Sequence, residues 1–563
     1  MKHTHVYDHY YLYGEIAEIV KGYAAQYPQY AKLDVLGQTE EGRDILLLEI
    51  TDLSTGDFAD KPAYYVEGNI HAGEVTGSMT VMYLMDTIFS NLDDPEIAKI
   101  LKKNTFYLLP RVSPDGTEHY LTTPESLRSV PRYYPYAAEM PGLQPKDLDG
   151  DGAIRLMRVK TPYGAWKKSA LDDRLMTRRL PDDDEGEFYN IYPEGVINDY
   201  DGLSIHEAPQ KFGNDFNRNY PIGWEPEWMQ RGAGKHPLSN PETKANAEFL
   251  LSHKNVCACV DMHTSGGMIL YTPGYKSAKD ADPADVALYR VLGQMAAEES
   301  GYPLLNVYDD FMPKSAPVTY GGFDDFCHFI VGIPAFTIEC WDLDVRAGVQ
   351  RSFPPKENQP EKEREADEYK VLQWLDANLT PEQGFKPWTA FDHPQLGEVE
   401  IGGVYSKFVE QNPPTPFLEQ EVAKHTRFML REVKALPKVQ FENATAEKLA
   451  DGLYRVEAVL GNTGFMSTYV FREALKNKAL KGLSVALSGY DSLTEGKAVQ
   501  DIGHLQGYSG IRTMDWGIPA RSMETEPFRK KVSWIVRAQS GAALKLVCTG
   551  DRIGKVEAEV VLD

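Results

Sequence analysis

Cysteine is scarce in this chain, with five among 563 residues. So few do not build a disulfide framework, and an odd number leaves at least one thiol free. Cys257 and Cys259, two apart in NVCACVDMH, fall on one face of a strand and read as small buried hydrophobes rather than as metal ligands. Positive charge is also short. Lys and Arg number 59 against 83 Asp and Glu, a formal net charge of −24. That balance argues against a nucleic-acid partner, whose backbone needs clustered positive charge, and it tolerates or attracts cationic substrates. No run of about 18 apolar residues occurs, so no membrane partner is expected. The first residues, MKHTHVYDHYYLYGE, lack the basic and apolar segments of a signal peptide; the chain as given reads as cytoplasmic, or as secreted if a signal was removed. Internal repeats are absent. With 42% hydrophobic and 25% charged residues the composition is globular, and the length predicts two to four domains.

The central stretch is AYYVEGNIHAGEVTG, residues 63–77. An apolar run reads as a buried strand that ends in a Gly-Asn turn and presents His71 and Glu74 at a strand-to-helix corner. An imidazole and a carboxylate three residues apart can grip one Zn²⁺ from the same side, but a catalytic site needs a third protein ligand and an open position. Around this corner, helical periodicity over Tyr10 to Tyr27, two strands between Lys32 and Thr51, helices over Val75 to Ser90 and Pro95 to Lys103, and the strand of TFYLLPRVSPDG with its Ser-Pro-Asp-Gly turn make an alternating pattern. Alternation of this kind predicts an α/β fold, a mixed β-sheet flanked by helices.

Residues 116–213 read as a long loop-rich insertion with acidic clusters such as PDDDEGE, and irregular spans of that length are usually functional. Within it, KDLDGDGAIRLMR sets Asp147, Asp149 and Asp151 before Gly152, like the start of a calcium loop. The position where such a loop needs a bidentate Glu holds Arg158, so a plain acidic turn is favoured over bound Ca²⁺. Regular structure returns with a helix over Pro241 to His253, the strands NVCACVDMH, MILYTP and PAFTIEC, and helices over Pro283 to Gly301, Glu361 to Asn378 and Pro416 to Leu436. Beyond Pro437, short alternating runs between glycine turns predict a C-terminal antiparallel β-sandwich. The expected division is a catalytic domain over 1–435 and an accessory sandwich over 436–563.

His263 ends its strand in CVDMHTSGG and is the candidate third ligand. HAGE, FNRNYP, DMHTSGG and FTIECWD, in that order on an α/β pattern, resemble the zinc carboxypeptidase family, the carboxypeptidase A-like metallopeptidases. The resemblance implies one Zn²⁺ per chain held by His71, Glu74 and His263, with Glu339 as the general base that takes the proton of the attacking water and returns it to the leaving amine. It implies that Asn217 and Arg218 bind the terminal carboxylate of a peptide substrate, a task that suits the planar fork of a guanidinium. It places Asp215 behind a ligand histidine, His71 for choice, to fix its tautomer. The family's oxyanion-stabilising arginine corresponds to Arg128 or Arg132, with Arg128 favoured because an ungapped count from Glu74 lands beside it.

Two departures stand out. The family's mobile tyrosine would fall at Pro317, which cannot serve; Tyr320 lies near, and Tyr271 is another candidate. The position that sets specificity falls at Asp324, where an acid implies preference for C-terminal Lys or Arg, unless Asp324 merely caps a helix beginning near Asp325. The resulting expectation is a zinc-dependent metallocarboxypeptidase that hydrolyses the C-terminal peptide bond. The alternatives are a cell-wall peptide hydrolase cleaving next to a diamino acid and a non-catalytic peptide-binding protein.

Overall fold

Strands Ala63–Gly68 and Val256–Thr264 are buried at every position and lie side by side, parallel, with Cys259 opposite Tyr65 and Asp261 opposite Glu67. Strands with no exposed face need helices on both sides, and that requirement organises the first two thirds of the chain. The computed structural model describes residues 2–313, 315–355, 358–510, 512–514, 521–523 and 526–563. The central sheet has eight strands in the order Ala31–Gln38, Asp44–Ile50, Thr105–Leu109, Ala63–Gly68, Val256–Thr264, Ala335–Cys340, Met268–Tyr271 and Leu304–Asn306. Its middle four are mutually parallel, and antiparallel strands flank them, so the sheet is mixed as expected. Helix Thr415–Glu432 packs against Val75–Phe89 and Pro283–Ser300, while Tyr13–Gln26 and Pro241–Ser252 pack against the first strand.

Two sequence readings are corrected. The Ser-Pro-Asp-Gly segment is not a free turn but the start of helix Pro114–Thr122, with Pro114 at the position where a missing N–H costs nothing. Residues 116–213 are less irregular than their composition suggests. Strands Leu156–Lys160, Trp166–Lys168, Met176–Arg178 and Tyr189–Pro193 join the distant hairpin Phe385–His393 and Gly397–Val404 in a six-stranded sheet. Met157 pairs with Ile401, and a small core of Met157, Val399 and Ile401 forms where they meet. Arg158, which spoils the calcium-loop pattern, spends its guanidinium on Glu400 at 2.8 Å. Each strand is too short to show a period, and one partner of Leu156–Lys160, the strand Gly397–Val404, lies more than two hundred residues away.

Two four-stranded antiparallel sheets close the chain, one containing Val439–Ala450, Leu453–Asn462, Arg529–Arg537 and Ser492–Glu495, the other Val499–Gly503, Leu483–Ser488, Ala543–Gly550 and Gly554–Val561. Burial alternates along Leu453–Asn462, the signature of a sheet with one face on a core, here made by Val456, Leu460, Trp534 and Leu546 among others. Arg552 ties this region to the body, donating to the carbonyls of Lys254 at 3.0 Å and Val331 at 2.6 Å.

Candidate metal and catalytic centre

The turn after Ala63–Gly68 is held by Asn69, in the left-handed region at φ 59°, whose amide donates to the carbonyl of His71 at 3.1 Å. Helix Val75–Phe89 then starts immediately after Glu74. Gly77 lets its first turn reach the neighbouring strand, because a Cβ there would lie 2.5 Å from the carbonyl oxygen of Met262. That close approach brings the two motifs together. Nδ1 of His71 lies 2.9 Å from one Glu74 carboxylate oxygen, and Nδ1 of His263 lies 2.8 Å from the other. The ligand atoms of all three residues fall within 4.8 Å of one another, and all three residues are buried.

Each imidazole turns its other nitrogen to a carboxylate: Nε2 of His71 lies 3.2 Å from Asp215 and Nε2 of His263 lies 2.7 Å from Asp261. This arrangement fixes both tautomers and leaves both Nδ1 atoms to face the same point. Two imidazoles and one carboxylate, with no fourth protein ligand among the described residues, are the donor set and count of a catalytic zinc site, so the residues present fit the metal. Burial alone would raise the Glu74 carboxyl, but His71 and His263 outweigh it and hold it well below the ordinary carboxylate range. Burial likewise would lower His263, and the Asp261 and Glu74 carboxylates reverse that.

Glu339 sits across from His263 in the parallel ladder of the two central strands. Burial first, then the negative charge of Glu74 and Asp261, pushes its carboxyl up to about 8 against the pull of His263 and Arg128. A carboxyl so placed can carry a proton near neutral pH.

Of the two candidate arginines the structure brings one to the centre. Arg128 donates from Nε to Asp215 at 3.0 Å and from Nη1 to Glu74 at 3.2 Å, with two fifths of its side chain exposed. Its segment is stitched in place: its carbonyl accepts from Ala72 N at 2.8 Å, and Ser129 Oγ accepts from Phe216 N at 3.0 Å. Arg132 is occupied elsewhere, bonded to Glu40 and to the buried Glu242, both at 2.7 Å. The fold thus sets Arg132, the other candidate for the oxyanion, against Glu40 and Glu242.

Asp215 also accepts from Asn217 N at 2.9 Å, starting the short turn Phe216–Arg218. Burial would raise its carboxyl, yet Arg128, Arg218 and His71 hold it far below the usual range. Asn217 Oδ1 accepts from Phe323 N at 2.7 Å, and so joins the Asn217–Arg218 turn to the segment of Asp324. Asp324 is half-buried, its carboxyl raised first by burial and then by Asp261, and lowered by His263 and Arg218. It is not the helix cap: helix Phe323–Phe326 starts after Gly322, and Asp324 lies inside its first turn. The ring of Tyr320 packs on Tyr275 with centroids 6.0 Å apart, while Tyr271 is buried against Tyr289.

The sequence reading did not include Asp261. Its signal was present, since Asp-x-His on one strand puts the two side chains on the same face. The sequence reading also left out Glu194, which joins Asp147 and Asp149 in an acidic group; the Lys386 ammonium bridges Asp149 at 2.6 Å and Asp151 at 2.7 Å.

A cavity of about 1330 Å³ has none of the three candidate metal ligands in its wall. Its wall includes Ser126 and Leu127, Ser265 and Gly266, and Trp341 and Asp342, the chain neighbours of Arg128, His263 and Glu339.

Three residues that could hold a metal, with a carboxyl and an arginine beside them on a mixed α/β sheet, are the arrangement of a metallohydrolase type of site. Residues 16–368 match the zinc carboxypeptidase family, more than half of the chain, and the chain belongs to that family. Residues 438–561 match a domain of unknown function. Carboxypeptidase B of Astacus astacus is 35% identical over 116 residues, covering 20% of this chain and 35% of that protein. A metallocarboxypeptidase A-like protein of Trichophyton verrucosum (strain HKI 0517) is 24% identical over 287 residues, 49% of this chain and 50% of that one. The chain thus spans half or less of the length of these curated relatives. The crystal structure of carboxypeptidase A from Helicoverpa armigera is 17% identical, covers 66% of this chain and 73% of that chain, and superposes with a TM-score of 0.41, a likeness too distant to bear on activity.

Proposed function

We propose that this chain is a zinc-dependent carboxypeptidase that removes the C-terminal residue of peptides bearing a free carboxylate. The observation that carries the reading is the convergence of His71, Glu74 and His263 with Glu339 and Arg128 at one end of the central sheet. Bound there, zinc would polarise the scissile carbonyl and acidify water. The chain's own residues do the rest. Glu339 accepts a proton from the attacking water and returns it to the leaving amine. Arg128, oriented by Asp215 and Glu74, offers a guanidinium to the developing oxyanion. Asn217 and Arg218 receive the substrate carboxylate, and the bond of Asn217 to Phe323, next to Asp324, supports a role for that acid beside the residue to be removed. A half-buried carboxyl there favours a C-terminal Lys or Arg, whose cation would meet a desolvated partner. The division into a peptidase domain over 1–435 and an accessory domain over 436–563 belongs to the same proposal.

The test is mass spectrometry of a mixed peptide library incubated with the protein, with and without a zinc chelator. Chelator-sensitive loss of single C-terminal residues, Lys and Arg foremost, is expected, and amidated peptides should resist. Equal trimming of amidated and free peptides would overturn the exopeptidase reading, and indifference to the terminal residue would remove Asp324 from specificity.

A further inference from the structure

The cavity of about 1330 Å³ separates the peptidase body from the inserted sheet. On the body side it is bounded by Ser265, Gly266, Trp341 and Asp342; on the other side stand Leu156 and Trp388 of the six-stranded sheet. None of Asn217, Arg218 or Asp324 lines it. The cavity is thus lined by other residues than those proposed to hold a terminal carboxylate, and the guanidinium and ammonium groups of Arg155, Arg174, Lys211, Arg351 and Arg364 in its wall are each paired with a carboxylate. A peptide whose last residue sits at Arg218 and whose scissile bond sits at Glu339 must send its remaining residues the other way.

The chemistry of the wall says what those residues are. Its charges are largely satisfied within it: Arg351 bonds Asp342 at 3.2 Å and Asp344 at 3.0 Å, and Lys211 bonds Glu125 at 2.8 Å and Glu139 at 3.2 Å. Apolar side chains are also among what the wall offers a ligand. Leu156 is 42% exposed, although it sits in a strand whose next residue, Met157, is fully buried. Trp166, Trp388 and Val371 are half-buried on the same wall. At about 1330 Å³ the space exceeds the roughly 300–1000 Å³ that takes a drug-sized ligand, so it has room for a chain of several residues.

We infer that the inserted sheet and the peptidase body together form an acyl-side binding channel that takes the several residues preceding the scissile bond, and that it selects peptides carrying apolar side chains there. This inference rests on the carboxypeptidase reading for its direction. The insertion is then a substrate-selecting wall, and the enzyme acts on extended peptides rather than on dipeptides. Burial of an apolar side chain in such a channel is worth roughly tenfold in affinity or more.

The test is a length series with a constant C-terminal residue: N-acetylated peptides with one, two, three and four leucines before it, assayed on the full chain and on Leu156→Trp and Val371→Trp, which narrow the channel from two different elements. kcat/KM is expected to rise at least tenfold from the shortest to the longest substrate, and to rise much less when leucines are replaced by aspartates. In both variants the rise should collapse while the shortest substrate is cleaved within twofold of the native rate. Binding of the longest peptide to Glu339→Gln, measured by calorimetry, should weaken tenfold when Leu156→Trp is added, a readout that stands without turnover. No dependence on length, or an unchanged calorimetric affinity in the double variant, would overturn the inference. Failure to cleave even the shortest peptide, with calorimetric binding intact and sensitive to Leu156→Trp, would sink the carboxypeptidase reading and leave the channel.

Discussion

Asp215→Asn is the most informative single change, because one carboxylate holds three parts of the centre. Its Oδ1 faces Nε2 of His71 at 3.2 Å and accepts from Asn217 N at 2.9 Å, while Oδ2 accepts from Arg128 Nε at 3.0 Å. Asparagine keeps the size but offers one acceptor oxygen in place of two. Whichever way its amide turns, an N–H then opposes either the imidazole or the guanidinium, and the negative charge that both face is gone. Loss of a carboxylate behind a metal-bound histidine costs about 10–100-fold in metal affinity or activity. That is about 1.4–2.7 kcal/mol. The effect on turnover should be the larger one, since Arg128 loses an anchor as well. Zinc affinity is read by titrating the apoprotein against a competing chelator, and kcat and KM are read on a peptide with a free carboxylate. Both must fall while circular dichroism stays native. If zinc affinity and kcat each remain within twofold, the proposed coupling of His71 and Arg128 through Asp215 is wrong.

Glu339→Gln should bind zinc normally and lose turnover by several orders of magnitude; native turnover would exclude Glu339 as the proton carrier. Arg218→Ala should raise KM strongly for free-carboxylate substrates with less effect on amides, and equal losses on both would refute its role. Glu432 is buried with its carboxyl pushed up to about 8, and it accepts from Tyr64 OH at 2.5 Å. The folded state holds that proton more tightly than the unfolded state, so stability is greatest below the ordinary carboxylate pKa and falls as pH rises from about 4.5 towards 8. Glu432→Gln keeps an acceptor for Tyr64 and should flatten a decline on the order of 4 kcal/mol, seen as thermal midpoints at pH 5 and pH 8; parallel pH dependence in the two proteins would refute it. Glu421 is fully buried and accepts from Trp341 N at 3.0 Å and Lys424 Nζ at 2.8 Å, which fixes the chain two residues beyond Glu339. Glu421→Ala should cost about 3–5 kcal/mol of stability by stranding Lys424, and an unchanged thermal midpoint would show that the network carries little.

Much of the peptidase body was legible because its signals are local. The apolar run of 63–68, the helix that follows Glu74, and His263 at the end of a strand are each encoded within about a dozen residues. The Asp-x-His pair was equally local, and only attention to strand faces was needed to find Asp261. Other features were out of reach. Strand Leu156–Lys160 joins the short strands of 116–213 to Gly397–Val404, and no local period marks a short strand whose burial is supplied from so far away. Lys386, which bridges Asp149 and Asp151, arrives from the same distance.

The sequence alone therefore marked out His71, Glu74, His263 and Glu339, which the fold brings together, and the elements that hold them, since periodicity and strand-end position report burial and direction within one segment. Only the tertiary structure set Arg128 rather than Arg132 beside Glu74 and Asp215, brought Asp261 behind His263, and left a cavity between the body and the inserted sheet. Those outcomes depend on which segments pack together, and packing partners are selected by the whole chain at once, through burial that no single segment can specify.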